Sequence, residues 1–132
     1  MQYFGVFLCY LADKPKLINM LIKTNPNTFG FHLVSAFVNG HEQDIIIDDL
    51  FLCHNEVPIF SQPCRGKYLW PLILEKTWLK VRGGLDHRVE QGSPEQVFDT
   101  FLRFPTQKII LDDGPREMME VKIKRYMTKL EK

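Results

Sequence analysis

This 132-residue sequence has few cysteines, no long apolar run and no excess of either charge. Its three cysteines, Cys9, Cys53 and Cys64, are far apart and form no CxxC pair, so neither a zinc site nor a disulfide framework is predicted. A few unpaired thiols are typical of the cytoplasm, which is the compartment we expect. Lysine and arginine total 17 against 16 acidic residues, which excludes a strongly basic surface and predicts no nucleic-acid partner.

The apolar stretches are also too short to cross a membrane. A spanning helix needs about 18–20 apolar residues, and the longest candidate, at the start of the chain, is interrupted at Asp13. The same stretch lacks the basic flank of a signal peptide. With 45% hydrophobic and 25% charged residues, the composition is that of a globular protein, and we expect a single domain over residues 1–132.

The first half of the chain predicts two helices and a β-hairpin. Residues 3–12 are apolar on every side, which is typical of a buried helix. A second helix is expected from Pro15, because proline suits a first turn. Asn-Gly at 39–40 lies between two β-type runs, 31–38 and 45–47, and is a strong hairpin signal. Because both faces of these runs are fairly apolar, we expect a sheet that is covered on both sides.

The second half predicts further helices and short strands. A short strand is expected at 57–60, followed by a helix over "LWPLILEKTWLKVRG" (69–83), whose apolar residues recur at helical spacing. Ser93 predicts the N-cap of the next helix, with proline as its first residue. "QKIILDD" (107–113) is β-type, and 114–132 carries a helical apolar stripe. This order of elements indicates an α+β fold rather than a parallel α/β sheet.

No catalytic or metal-binding pattern emerges from these residues alone. Cys53 and His54 are adjacent, whereas a nucleophile and its base normally meet across the fold. Asp48 and Asp49 at a strand end are more typical of a turn initiator than of a metal site, since a calcium loop needs several oxygens at fixed spacing. The aspartates at 112–113 are better explained by helix capping. Unaided, the residues predict an α+β domain without a visible active site.

Longer motifs resemble the core of the calpain-type cysteine peptidases. "EQGSPEQVFDTF" resembles the family's Gly-Gly-Ser/Thr segment and short helix, with Gln91 at the first glycine and Gly92 at the second. "FVNGHEQDIIIDDLFLC" resembles the family hairpin that ends in two aspartates. The predicted helix over 69–83 also matches a family helix, at Trp70, Leu74, Glu75, Lys76, Trp78, Lys80, Val81 and Gly83.

This resemblance covers nearly the whole chain. It implies the helical half of a papain/calpain-like fold, with a buried N-terminal helix, a β-hairpin and several packed helices.

The same resemblance equates the first helix with the one that carries the family's nucleophile. That helix begins Gly-Asp-Cys-Trp in the family, with cysteine at the helix start, where backbone amides favour the thiolate. Counting back without gaps from Leu11 places Gln2 at the cysteine and Tyr3 at the tryptophan. A register with Cys9 as nucleophile would end the helix within one turn, so we interpret Cys9 as a small buried core residue.

Other parts of the family's machinery are also not matched. Tyr68 falls where the family has a calcium-binding glutamate, so we expect no metal ligand there and no calcium as a partner. The family's histidine and asparagine belong to a β-rich half that the matched region does not include. The resemblance therefore implies no catalytic residue and no cofactor, because a glutamine amide is not a nucleophile.

We therefore expect a non-catalytic calpain-like protein that is a structural or protein-interaction subunit of a larger assembly. Cytoskeletal or ciliary complexes are the hosts that we consider. The alternative is a fragment of a calcium-dependent-type cysteine endopeptidase, completed by another chain or by further sequence, in which Cys9 or Cys53 supplies the thiol. A third hypothesis is that the sequence is one piece of a longer polypeptide, in which Gln2 would still occupy the nucleophile position.

Overall fold

The computed structural model describes residues 2–24, 29–59, 61–62, 67–84 and 91–108, together with residues 118, 120, 121, 123 and 124. Helices and short antiparallel strands make up these residues, so the predicted α+β class is confirmed. In chain order the elements are α1 (Gln2–Ala12), α2 (Pro15–Leu21), β1 (Phe31–Val38), β2 (His41–Asp48), β3 (Cys53–His54), β4 (Val57–Pro58), α3 (Trp70–Val81) and α4 (Pro94–Leu102).

Helix α1 is buried on one face only, so the prediction of a helix buried on every side was wrong. Phe4, Phe7 and Leu11 are fully buried at the i, i+3, i+7 spacing of a single helical stripe. Val6, on another face, is 54% exposed, and Cys9 is exposed as well. An apolar helix is buried all round only where neighbours surround it, and the described elements pack on one side of α1.

Strands β1 and β2 form the predicted hairpin. They pair in antiparallel register from Phe31 opposite Asp48 to Val38 opposite His41. The turn residues Asn39 and Gly40 have φ values of 52° and 81°, the left-handed conformation that asparagine and glycine tolerate. Strand β1 is buried on both faces over residues 34–36, as expected. In β2 only Ile47 is buried, so the prediction that both faces of the sheet are covered was wrong for that strand.

A second, smaller hairpin follows that the sequence only half predicts. Val57–Pro58 lies within the predicted strand 57–60, and it pairs with Cys53–His54, for which no strand was predicted. The turn between them, Asn55 and Glu56, has φ values of 49° and 65°. A glutamate in the left-handed region is unfavourable, because its Cβ crowds the following carbonyl oxygen.

Helices α3 and α4 match their sequence predictions closely. Helix α3 carries Pro71 in its first turn and is followed by Gly83 and Gly84 at φ 90° and 108°. Helix α4 begins after Ser93, which forms a capping box with Gln96. These local signals lie within a few residues of the helix ends they determine, and this is why they are readable from sequence.

Aromatic side chains from three helices form the centre of the core. Phe7 stacks on Phe101 with ring centroids 5.1 Å apart, and Phe4 stacks on Trp78 at 6.3 Å. All four side chains are at least 98% buried. Such pairs contribute about 0.5–1.5 kcal/mol each beyond their buried area. The core therefore fixes α1 against α3 and α4.

The C-terminal predictions fall largely outside the described residues. Residues 107 and 108 are not in a strand, and the rest of the predicted strand 107–113 is not described. Within 114–132 the five described positions are helical, which agrees with the predicted helix there. Among all described residues, no helix is long and apolar enough to span a membrane. The single domain over 1–132 stays a prediction.

Candidate functional site

The site suggested by the sequence lies at the start of α1. Gln2 is the first residue of that helix, and its side chain is exposed. The first backbone amides of a helix have no intrahelical acceptor and favour a negative charge. A glutamine side chain carries a carbonyl oxygen and an amide nitrogen, so it can hydrogen-bond there but provides no thiolate.

The Tyr3 side chain ties this end of α1 to α3. The indole Nε1–H of Trp78 donates a hydrogen bond to the Tyr3 hydroxyl oxygen at 3.1 Å, and the two rings meet edge to face with centroids 6.2 Å apart. Tyr3, which is half-buried at the position of the family tryptophan, thus supplies a hydrogen-bond acceptor for the buried indole N–H of Trp78. Leaving that N–H without an acceptor would cost about 1–3 kcal/mol.

Gly92 lies against the Tyr3 side chain as well. A Cβ atom at residue 92 would lie 2.5 Å from the Tyr3 Cε2 atom and 2.6 Å from its hydroxyl oxygen. Contacts that short do not occur between real Cβ atoms and their neighbours, so the tyrosine ring requires a residue without a side chain at this position. The structure therefore brings together three positions that the sequence comparison singled out separately: Tyr3, Trp78 and Gly92.

Asp48, at the end of β2, binds the backbone that follows the strand, which agrees with the predicted role as a turn initiator. The Asp48 carboxylate accepts the Leu50 N–H at 3.0 Å and the Lys76 ammonium at 2.5 Å. Hydrogen bonding by Lys76, and then by the Leu50 N–H, holds the pKa of Asp48 below its ordinary value. Within the described residues, no cluster of three or more His, Cys, Asp or Glu side chains is placed to hold a metal ion.

The cysteines do not combine with histidine in the described part of the chain. Cys9 is exposed on α1, so its interpretation as a buried core residue was wrong. Cys53 and His54 are neighbours on β3, and successive strand residues point to opposite faces. The Cys53 thiol donates to the Phe51 carbonyl oxygen at 3.6 Å. Cys64 lies outside the described residues, as do the aspartates at 112–113.

Tyr68, at the position of the family's calcium-binding glutamate, is 58% exposed. A phenol is a poor ligand for calcium, which prefers carboxylate and carbonyl oxygens. The nearby Glu75 is 93% buried, and its carboxylate accepts the Ser61 N–H at 2.7 Å. Glu75 thus fixes the loop before α3 and has a structural partner already.

Sequence reasoning missed an apolar groove between β2, the loop after it, and α3. Its cavity measures about 370 Å³ and is lined mainly by aliphatic and aromatic side chains. Leu50, Leu52 and Ile46 at its rim are 77%, 60% and 58% exposed. Leu50 and Leu52, which follow the two aspartates, gave only a weak sequence signal of an apolar surface. The fold shows that they line a groove together with residues of α3.

Taken together, the α+β arrangement and the contact of α1 with α3 define this region as part of a papain-like fold. The model of the calpain family cysteine proteases matches residues 3–130. The chain belongs to that family.

Curated relatives point the same way. The chain is 32% identical over 81 residues to the calpain-like protease palB/cpr-8 of Neurospora crassa, which covers 52% of the chain and 9% of the relative. It is 26% identical over 85 residues to the calpain-1 catalytic subunits of Mus musculus and Homo sapiens, which covers 64% of the chain and 12% of each relative. The chain thus spans about a tenth of the length of the relatives it matches.

Proposed function

We propose that this chain is a non-catalytic member of the calpain family that acts by binding another protein. The observation that carries the proposal is Gln2, which stands at the start of α1 where the gap-free register places the family's cysteine. Its amide cannot attack a peptide carbonyl, and removing the nucleophile alone abolishes most of the catalysis in enzymes of the triad type.

The exposed apolar surface supports the binding part of the proposal. Leu50, Leu52 and Ile46 line the same groove and are 77%, 60% and 58% exposed. Contiguous exposed apolar surface on a folded chain is typical of a protein interface. Because the curated calpain relatives are far longer than this chain, the partner that we propose is a further part of a calpain-type core that is carried by another polypeptide.

Peptide hydrolysis tests the non-catalytic part directly. We expect the purified chain to cleave neither casein nor a fluorogenic calpain peptide, with calcium or with chelator. We also expect no specific labelling by an epoxide probe for cysteine peptidases. Labelling that disappears in Cys9→Ser or Cys53→Ser would contradict the proposal and favour an endopeptidase fragment that uses that thiol. Gln2→Cys is the matched variant that restores a thiol at this position.

A photo-crosslinking amino acid tests the binding part. Placed at Leu50 in cells that express the chain, it should give a specific protein adduct. The same probe at Lys16, an exposed residue of α2, is the control and should give none. Equal adducts at both positions, or none at either, would contradict the proposed interface. Imaging of the tagged chain on cytoskeletal and ciliary structures tests the proposed hosts.

A further inference from the structure

The β1–β2 hairpin has one covered and one open edge. At the outer edge of β1, the Lys23 N–H donates to the Leu33 carbonyl at 2.9 Å, and the Leu33 N–H donates to the Thr24 hydroxyl at 3.2 Å. Among the described elements no strand lies on the other side of β2. Strand β2 is therefore the edge at which another extended segment could add.

Backbone geometry identifies the groups that point outward from β2. The Asp49 N–H donates to the Gly30 carbonyl at 3.1 Å, so residues of odd number in β2 direct their N–H and C=O groups toward β1. In an antiparallel pair these directions alternate, and residues 46 and 48 therefore direct theirs outward. Those are the groups that an added strand would bind.

Two lysines of α3 already occupy the outward carbonyls. The Lys80 ammonium donates to the Ile46 carbonyl oxygen at 2.9 Å. The Lys76 ammonium donates to the Asp48 carbonyl at 3.4 Å and to the Leu50 carbonyl at 2.5 Å, while it also binds the Asp48 carboxylate. Three alternate carbonyls, at residues 46, 48 and 50, are thus bound by side chains that are four residues apart on one helix face.

The strand under these lysines has a composition that favours strand addition. Residues 45–47 are three consecutive isoleucines between aspartates, and Ile46 is 58% exposed. Short β-branched runs on an open edge are the segments from which edge-to-edge association starts. Lysines at an edge are a known means of preventing it.

We propose that Lys76 and Lys80 cap the open edge of β2 and prevent it from pairing with β2 of a second copy of this chain. The cap works by occupying acceptors and by placing two ammonium groups where the incoming backbone N–H groups would approach. An isologous β2–β2 pair is the expected product when the cap is removed, because one antiparallel edge can pair with itself about a two-fold axis.

Replacing both lysines by methionine tests the cap, because methionine keeps an unbranched side chain of similar length and removes the ammonium. We expect Lys76→Met/Lys80→Met to self-associate about tenfold more tightly than the wild type in sedimentation equilibrium. In the associated form, the outward amides of Ile46 and Asp48 should gain protection from hydrogen exchange. Lys14→Met/Lys16→Met loses the same charge from exposed positions and should self-associate no more than the wild type. Lys76→Arg/Lys80→Arg keeps donors on both side chains and should also self-associate no more than the wild type.

The proposal is overturned if the methionine pair associates no more than wild type. It is also overturned if association occurs without protection at residues 46 and 48, or if the control pair associates equally. Should the methionine pair lose its near-ultraviolet circular dichroism, Lys80→Met is measured instead, because it leaves the Lys76–Asp48 ion pair in place. Unchanged association of that single variant then overturns the proposal.

Discussion

Substitution of Gly92 by alanine tests the contact at the start of α1. The added Cβ would lie 2.5 Å from the Tyr3 Cε2 atom and 2.6 Å from its hydroxyl oxygen, well inside van der Waals contact. Gly92 does not occupy the left-handed region, so the alanine backbone itself adds no strain. Overpacking costs about 1–3 kcal/mol, and leaving the Trp78 N–H without its acceptor costs about 1–3 kcal/mol. We expect the free energy of unfolding to fall by about 2–6 kcal/mol.

Urea unfolding followed by tryptophan fluorescence measures this loss. Gly5→Ala is the matched control, because a Cβ at Gly5 meets no heavy atom within 4 Å and the residue lies inside α1. Alanine is favoured over glycine in a helix by about 0.5–1 kcal/mol, so the control should raise stability. In a Tyr3→Ala background the cost of Gly92→Ala should shrink. A Gly92→Ala protein within about 0.5 kcal/mol of wild type would refute the contact.

Four further substitutions test other parts of the fold. Glu56→Gly should raise the urea midpoint by relieving about 1 kcal/mol of left-handed strain, and Asn55→Gly should do so less, since asparagine tolerates that conformation. A gain from Asn55→Gly as large as that from Glu56→Gly would contradict this explanation. Ser93→Ala should cost about 1 kcal/mol through the lost cap of α4, and an unchanged midpoint would contradict the capping box. The pKa of Asp48 is lowered in the folded state, so its stabilisation is complete above about pH 3.9 and lost as the pH falls through the folded pKa. Asp48→Asn should therefore reduce the loss of unfolding free energy as the pH falls below about 3.9. A loss as steep as that of the wild type would contradict the Lys76–Asp48 ion pair.

Local signals made much of the fold predictable. The Asn-Gly turn, the prolines in the first turns of α2, α3 and α4, and the Ser93 cap each act within a few residues. Each prediction that depended on a distant neighbour was less successful. The apolar sequence of α1 predicts burial, but exposure at Val6 and Cys9 depends on which elements pack there. Strand β3 has only two residues, too few for a pattern, and exists because β4 pairs with it.

The candidate site divides in the same way. Gln2 and Gly92 were identified by matching motifs along the chain, and the match of residues 3–130 confirms the resemblance to the calpain family. The assignment of Gln2 to the position of the family's cysteine stays a prediction, because the match begins at residue 3. The fit of the Tyr3 ring against Gly92 was not predictable, because the two residues are 89 positions apart in the sequence. The lysine contacts with β2 were equally hidden, since the i, i+4 spacing of Lys76 and Lys80 on α3 indicates a shared helix face but not what that face contacts.

The hydrogen bond between Trp78 and Tyr3 has a consequence during translation. The two residues are 75 positions apart, which takes about 4–15 s to synthesise at 5–20 residues per second. Phe4 and Phe7 are thus synthesised well before Trp78 and Phe101, on which they stack in the folded protein. Until α3 and α4 have been synthesised, the aromatic face of α1 therefore lacks the helices that bury it, and chaperones bind such transiently exposed apolar segments.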